Sequence, residues 1–183
     1  LILATSMPGS GQPQADLLSQ FPHTHVLLAL LRDGFHDQAR GGHVKLRGDG
    51  SAVLDYPLTD YVMDGARRAM LAMAEIQFAA GAKAVRASHV DSPWFTSWEE
   101  AKAGINALEF RSNAFTAGSA HCMGGLTMGE DQTRCLVDSN GKYHHLDNLY
   151  VFDGSVFPTS IGANPQLSIY GMACKQANKL LET

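Results

Sequence analysis

The feature that most constrains this chain is its closing stretch, "NLYVFDGSVFPTSIGANPQLSIYGMACKQANKLLE" (148–182). Leu149 to Phe152 is apolar on both faces, as a strand buried in a parallel sheet is, and it stops at Asp153-Gly154. A loop then leads to a helix expected over Pro165 to Leu181, with Asn164 at the N-cap and Pro165 at the first helical position. The order is strand, Asp-Gly, loop, Asn-Pro, helix. In open α/β sheets ligands bind beyond the carboxyl ends of strands. A helix start presents unpaired N–H groups and a partial positive charge. Such an end suits an anion, or a ring system that becomes anionic during a reaction.

A second stretch, "SAHCMGGLTMG" (119–129), is too rich in glycine for a good helix and places His121 ahead of a glycine pair. Met123 and Met128 read as fillers of a pocket or core. Next, "CLVDSNGKYHHLDNLYVFDGS" gives a strand, a turn at Asn140-Gly141 and the strand ending at Phe152. His144 and His145 read as a solvated turn. On spacing alone Asn164 is ordinarily a cap and His121 ordinarily structural. His23, His25, His36, His43 and His89 have no spacing that gathers them round a metal, and no metal site is expected.

Upstream, residues 1 to 22 are loop-like; their "GSGQPQ" lacks the third glycine and the strand–glycine–helix order of a nucleotide loop. "HVLLALLRD" reads as a buried strand. "HVKLRGDGSAVLDYPL" reads as a hairpin with arms His43 to Arg47 and Ala52 to Leu58, turning at Gly48-Asp49-Gly50 and ended by Pro57. A long helix follows, capped by Thr59 or Asp60 and stopped by Gly81, with an apolar stripe of Val62, Ala66, Ala69, Met73, Ile76 and Ala80. "KAVRA" suggests a short strand. Ser97 and Glu100 fit a capping box opening a helix at "SWEEAKAGI". Trp94, Phe95 and Trp98 either line an apolar pocket or cover the sheet. The pattern predicts an α+β chain, an antiparallel sheet with helices on one face, followed by the C-terminal strand–loop–helix segment.

Composition removes several function classes. A net charge of −4 without lysine- or arginine-rich runs gives no electrostatic reason for a nucleic-acid partner. The longest apolar run, "VLLALL", is far shorter than a membrane span, so none is expected. Cys122, Cys135 and Cys174 form no CxxC pair, which argues against zinc and for reduced thiols. That leaves the compartment open, with the cytoplasm favoured. The chain starts without methionine and without a charged leader, which reads as a fragment, a split subunit or a processed chain.

In "HCMGGLTMG" and "LVDSNGKYHHLDNLYVFDGSVFPTSIGANPQLSIYGMACKQANKL" the chain resembles the C-terminal region of the glucose–methanol–choline flavin oxidoreductases. A histidine, a Gly-rich Met-Gly stretch, Asn-Leu-Tyr-Val, Asp-Gly-Ser, Asn-Pro and a closing helix follow in the family's order. The hairpin and long helix, from Gly41, resemble its substrate-domain segment. The resemblance implies FAD-dependent oxidation of alcohols, with hydride transfer to flavin N5. It implies a substrate-binding part over 1–118 and a catalytic segment over 119–183 that returns to the flavin-binding α/β domain. It places His121 at the active-site histidine, as base, and Asn164 at the second active-site position, as the donor to growing alkoxide character. Asp153, Gly154, Asn164, Pro165 and Gln166 stand at flavin-contacting positions. The partners implied are a small-molecule alcohol and an N-terminal FAD-binding portion, in the same or a separate chain; its glycine fingerprint is absent here. The alternative is a non-catalytic ligand-binding module without flavin.

Overall fold

The computed structural model describes residues 10–182; the start of the expected 1–22 loop lies outside the described residues. The chain forms two compact units, one of residues 10–31 with 58–118, the other of residues 32–57 with 119–182. The elements are α+β: helices α1 (Gln12–Ser19), α2 (Asp60–Ala79), α3 (Trp98–Ala107) and α4 (Gln166–Leu181), and strands β1 (His43–Leu46) and β2 (Ala52–Asp55). No helix among the described residues is long and apolar enough to cross a membrane.

In the first unit, part of the expected N-terminal loop is helical. Pro13 fits α1's opening turn, and the Gln12 side chain donates to Asp16 at 2.7 Å across one turn. The expected buried strand at His25–Asp33 does not form. Residues 24–31 form no helix or strand, no strand lies beside them among the described residues, and Leu28 and Leu30 are 83% and 82% exposed. An apolar segment becomes a strand only beside a partner. The segment is tied down by Gln77 of α2 to His25, by Leu31 over Gly65 and by the Tyr56 hydroxyl on Asp33.

Helix α2 ends as its sequence requires. Gly81, at φ +91°, donates to the Phe78 carbonyl, and Ala82 donates to that of Gln77, a Schellman closure. Thr59 occupies the N-cap without capping through its hydroxyl. The buried line on α2 is Ala66, Met70 and Ala74, rotated from the expected stripe, and Ile76 is exposed. The rotation follows the partner helix. Small residues on α2 and Ala101 on α3 permit close packing, and Met70, Ala74, Ala87, Phe95, Ala101 and Ile105 form the core. Phe95 lies over Gly104 and pairs with Val85 through two main-chain hydrogen bonds of 2.8 and 2.9 Å. "KAVRA" thus contributes one antiparallel bridge and no strand. Phe95 is core, Trp98 packs on that core and Trp94 is half exposed. Ser97 caps α3, accepting the Glu100 N–H at 3.2 Å. The returning carboxylate bonds the N–H and hydroxyl of Thr96, both at 2.9 Å.

In the second unit, the hairpin pairs His43 with Asp55, Val44 with Leu54, Lys45 with Val53 and Leu46 with Ala52. Gly50, at φ +81°, supplies the left-handed residue of the turn, and Asp49 accepts from the Ser51 N–H and hydroxyl. This is the one sheet among the described residues, and it has two strands. The expected antiparallel sheet with helices on one face is not formed: the Val44, Leu46 and Leu54 side of the hairpin is exposed. Nor is Leu149–Phe152 a strand in a parallel sheet. It enters one antiparallel bridge, Lys142 with Tyr150, and Leu149 is exposed. The chain reverses at Gly141, so closely that a Cβ there would meet the Phe152 ring and the Val151 carbonyl at 2.8 Å. A tight reversal of this kind satisfies local backbone groups without extending a ladder.

Candidate active site

The candidate residues His121, Asp153, Gly154, Asn164, Pro165 and Gln166 all lie in the second unit. Two sequence-remote stretches run side by side there. The Leu126 N–H donates to the Ser155 carbonyl at 3.1 Å, and the Met128 N–H donates to the Val156 carbonyl at 3.0 Å. These bonds align the segment after His121 with the turn after Asp153.

Gly154 opens a short 3₁₀ turn, Gly154–Val156, and is buried. A Cβ on Gly154 would lie 2.9 Å from the Cys122 carbonyl oxygen and 3.2 Å from Ile169 Cδ1 of α4. The residue next to His121, the Asp-Gly turn and the first turns of α4 therefore meet at one glycine. Asp153 fixes the turn itself: one carboxylate oxygen, Oδ1, accepts from the Ser155 N–H at 2.8 Å and from its hydroxyl at 2.5 Å. Gln176 of α4 is buried and donates through Nε2 to the Met128 sulfur at 3.5 Å, while its Oε1 has no partner among the described residues.

The helix start differs from expectation by one residue. α4 begins at Gln166, and Pro165 is the buried flanking residue with helical dihedrals, φ −85° and ψ −3°. Asn164 still does the capping, because its Oδ1 accepts the Gln166 N–H at 3.0 Å. Binding at Oδ1 orients the carboxamide and leaves Nδ2 as a donor without a partner among the described residues. Asn164, Gln166, Leu167 and Ser168 are exposed at this end. Gln166 donates through Nε2 to the Tyr170 hydroxyl at 2.7 Å.

His121 is half-buried. Its main-chain N–H donates to Ser119 Oγ at 3.3 Å, and neither ring nitrogen has a hydrogen-bond partner among the described residues. His144 contrasts with it, since its Nε2 is occupied with the Gly129 carbonyl at 2.9 Å. That bond makes His144 a strut of the loop, and only His145 of the pair is exposed. The same loop holds its carboxylates ionised. The Thr133 hydroxyl, then its N–H, keeps Asp131 below the usual carboxylate range, and bonds from Ser139 do the same for Glu130. Among the described residues no three His, Cys, Asp or Glu side chains are grouped to hold a metal ion.

A sequence profile described as GMC oxidoreductase matches residues 37–173, about three-quarters of the chain. The chain belongs to the GMC oxidoreductase family. It is 37% identical over 78 residues to the 6'''-hydroxyparomomycin C oxidase of Streptomyces lividus, a match covering 43% of this chain and 14% of that protein. It is 25% identical over 178 residues to long-chain-alcohol oxidase FAO3 of Arabidopsis thaliana, covering 90% of this chain and 22% of the relative. It is also 40% identical over 55 residues to a cholesterol oxidase of Acinetobacter baumannii, covering 30% of this chain and 10% of the relative. This GMC chain thus spans less than a quarter of the length of each of these three curated relatives.

Sequence reasoning found the Asn164 cap, a local signal two residues long. It missed the approach of Cys122 to Gly154, for which no local signal exists. It also missed a second support. Gly34 is buried beneath the loop before Asn164, where a Cβ would meet Thr159 Oγ1 at 2.5 Å and the Ser160 carbonyl at 2.9 Å. An isolated glycine in "LRDGFHD" reads only as a turn residue until the far loop is seen against it.

Proposed function

We propose that this chain is the C-terminal part of an FAD-dependent oxidoreductase that oxidises alcohol CH–OH groups. The observation that supports it best is the backbone pairing of 126–128 with 155–156, which joins the histidine stretch to the Asp-Gly turn beside α4. Family membership supplies the reaction class. The relatives are named for a hydroxyparomomycin, a long-chain alcohol and cholesterol, so the class of substrate carries over and no individual alcohol does.

The residues present fit a flavin. An exposed first turn on a 16-residue helix offers N–H groups and a partial positive charge, with Asn164 and Gln166 beside it and a rigid buried Pro165 behind. Asp153, Gly154, Asn164, Pro165 and Gln166 would hold the ring system. FAD supplies a hydride acceptor at N5. The chain supplies the proton chemistry. An unengaged His121 ring nitrogen takes the hydroxyl proton, and Asn164 Nδ2–H donates to the oxygen as alkoxide character grows. The Gln166 N–H on Oδ1 stops the amide from turning its acceptor toward that oxygen. The partner in this reading is an N-terminal nucleotide-binding portion, and the C-terminal segment completes its flavin-binding domain.

The test combines the chain with such a portion and follows flavin absorbance without oxygen. An alcohol bleaches the flavin. His121→Ala slows that reduction by about 100-fold, the scale of losing a general base. An unchanged rate removes His121 from the role. Failure to take up flavin, with retained affinity for an alcohol, favours a binding module instead.

A further inference from the structure

The side chain of Arg32 lies across the loop that delivers Asn164. A Cβ on Gly162, which has φ +76°, would collide with Arg32 Cδ and lie 3.3 Å from Cγ and 3.4 Å from Nη1. The guanidinium carbon stands 5.8 Å from the centroid of the Phe35 ring. Phe35 itself has φ +53°, a left-handed conformation that is costly for a bulky residue and persists where its surroundings fix it. Two residues from Arg32, Gly34 carries Thr159 and Ser160. Between them, Asp33 accepts a hydrogen bond from the Tyr56 hydroxyl, which anchors the segment to the chain just past β2. Arg32 makes no ion pair among the described residues, so its stem and its ring contact, not a carboxylate, account for its place.

We propose that Arg32 is a positioning residue for Asn164. Its aliphatic stem closes over Gly162, with the guanidinium beyond it over the Phe35 ring, and keeps the Thr159–Gly162 loop from carrying the carboxamide away from its bond to Gln166. The functional half of this inference rests on the role given to Asn164 above; the packing half stands apart from it. At φ +76° Gly162 holds a left-handed backbone that favours glycine, and only a rigid loop presents the same donor, Nδ2, at each encounter.

The experiment uses the full chain and, for reduction, the flavin-loaded enzyme. Hydrogen exchange is read at the Gln166 amide, whose acceptor is Asn164 Oδ1. Arg32→Ala raises that exchange about tenfold and lowers the first-order rate of flavin reduction about tenfold, with the half-saturating alcohol concentration unchanged; an ångström of misplacement costs up to about a hundredfold. Arg32→Met keeps the stem and restores both. Unchanged exchange in Arg32→Ala overturns the proposal. So does an equal rise in Arg32→Met, because then the charge and not the stem is responsible. Faster exchange with unchanged reduction also overturns it, leaving Arg32 as loop packing alone. The flavin reading is decided separately by His121→Ala, and the exchange readout holds whichever way that falls.

Discussion

The main-chain oxygen of Cys122 stands against Gly154, so that a methyl group on Gly154 would sit 2.9 Å from it. The second neighbour, the tip of the Ile169 side chain, can give a little, but a main-chain oxygen cannot yield cheaply. The bonds at Leu126 and Met128 tie down the same segment a few residues on, and the Ile169 N–H donates to the Pro165 carbonyl at 2.8 Å. Gly154→Ala therefore destabilises the chain by about 1–3 kcal/mol, the range for overpacking a close site. Chemical denaturation measures it. Gly171→Ala is the control: it is in the same helix with no atom within 4 Å of its Cβ, and it stabilises by up to about 1 kcal/mol through helix propensity. An unaffected Gly154→Ala would show that the histidine stretch and the Asp-Gly turn are not held together.

Asn164 has two jobs in the proposed reading, and one substitution separates them. Asn164→Asp keeps an oxygen for the Gln166 N–H and adds a negative charge at a helix start, which is favourable. It removes the donor. The melting temperature is held or raised, while flavin reduction falls by about 100- to 1,000-fold, as when one oxyanion-stabilising donor is lost. Asn164→Ala loses both functions and costs about 1 kcal/mol of stability as well. Full activity in Asn164→Asp would end the donor assignment.

What was legible in the sequence was local. The Ser97–Glu100 cap, the Gly81 stop and the Asn164 cap each rest on residues within three or four positions, where chain geometry fixes the partner. The hairpin was legible for the same reason, although its arms end at Leu46 and Asp55, short of the expected Arg47 and Leu58. The failures were non-local. Residues 26–31 are a continuous apolar run like a buried strand, yet a strand exists only with a neighbour to bond. Leu149–Phe152 has the composition of a buried strand, but the reversal at Gly141 spends its backbone groups on a single bridge. The α2 stripe was misplaced because periodicity gives a face and α3 decides how far it turns. At the site, residue types and order were visible, whereas the supports at Cys122, Gly34 and Arg32 come from elsewhere in the chain and leave no pattern to read.

The Glu100 carboxylate supplies a pH-dependent prediction whose sign is fixed by its partners. The Thr96 main-chain N–H, then the Thr96 hydroxyl, holds it below the usual glutamate range. A carboxyl lowered on folding stabilises above its unfolded pKa, about 4.3, and that contribution disappears as pH falls through the lower folded value. Glu100→Gln keeps the shape but not the charge. It therefore melts at a lower temperature than the parent chain at pH 7, and the two melting curves draw together as the pH falls below the unfolded value and converge once it is below the lower folded one. The charge also lies in the first turn of α3, where the helix dipole favours an anion, so added salt narrows the gap at pH 7. A gap that stays constant down to acid pH would mean that the carboxylate acts through packing, and that the bonds to Thr96 do not draw on its ionisation.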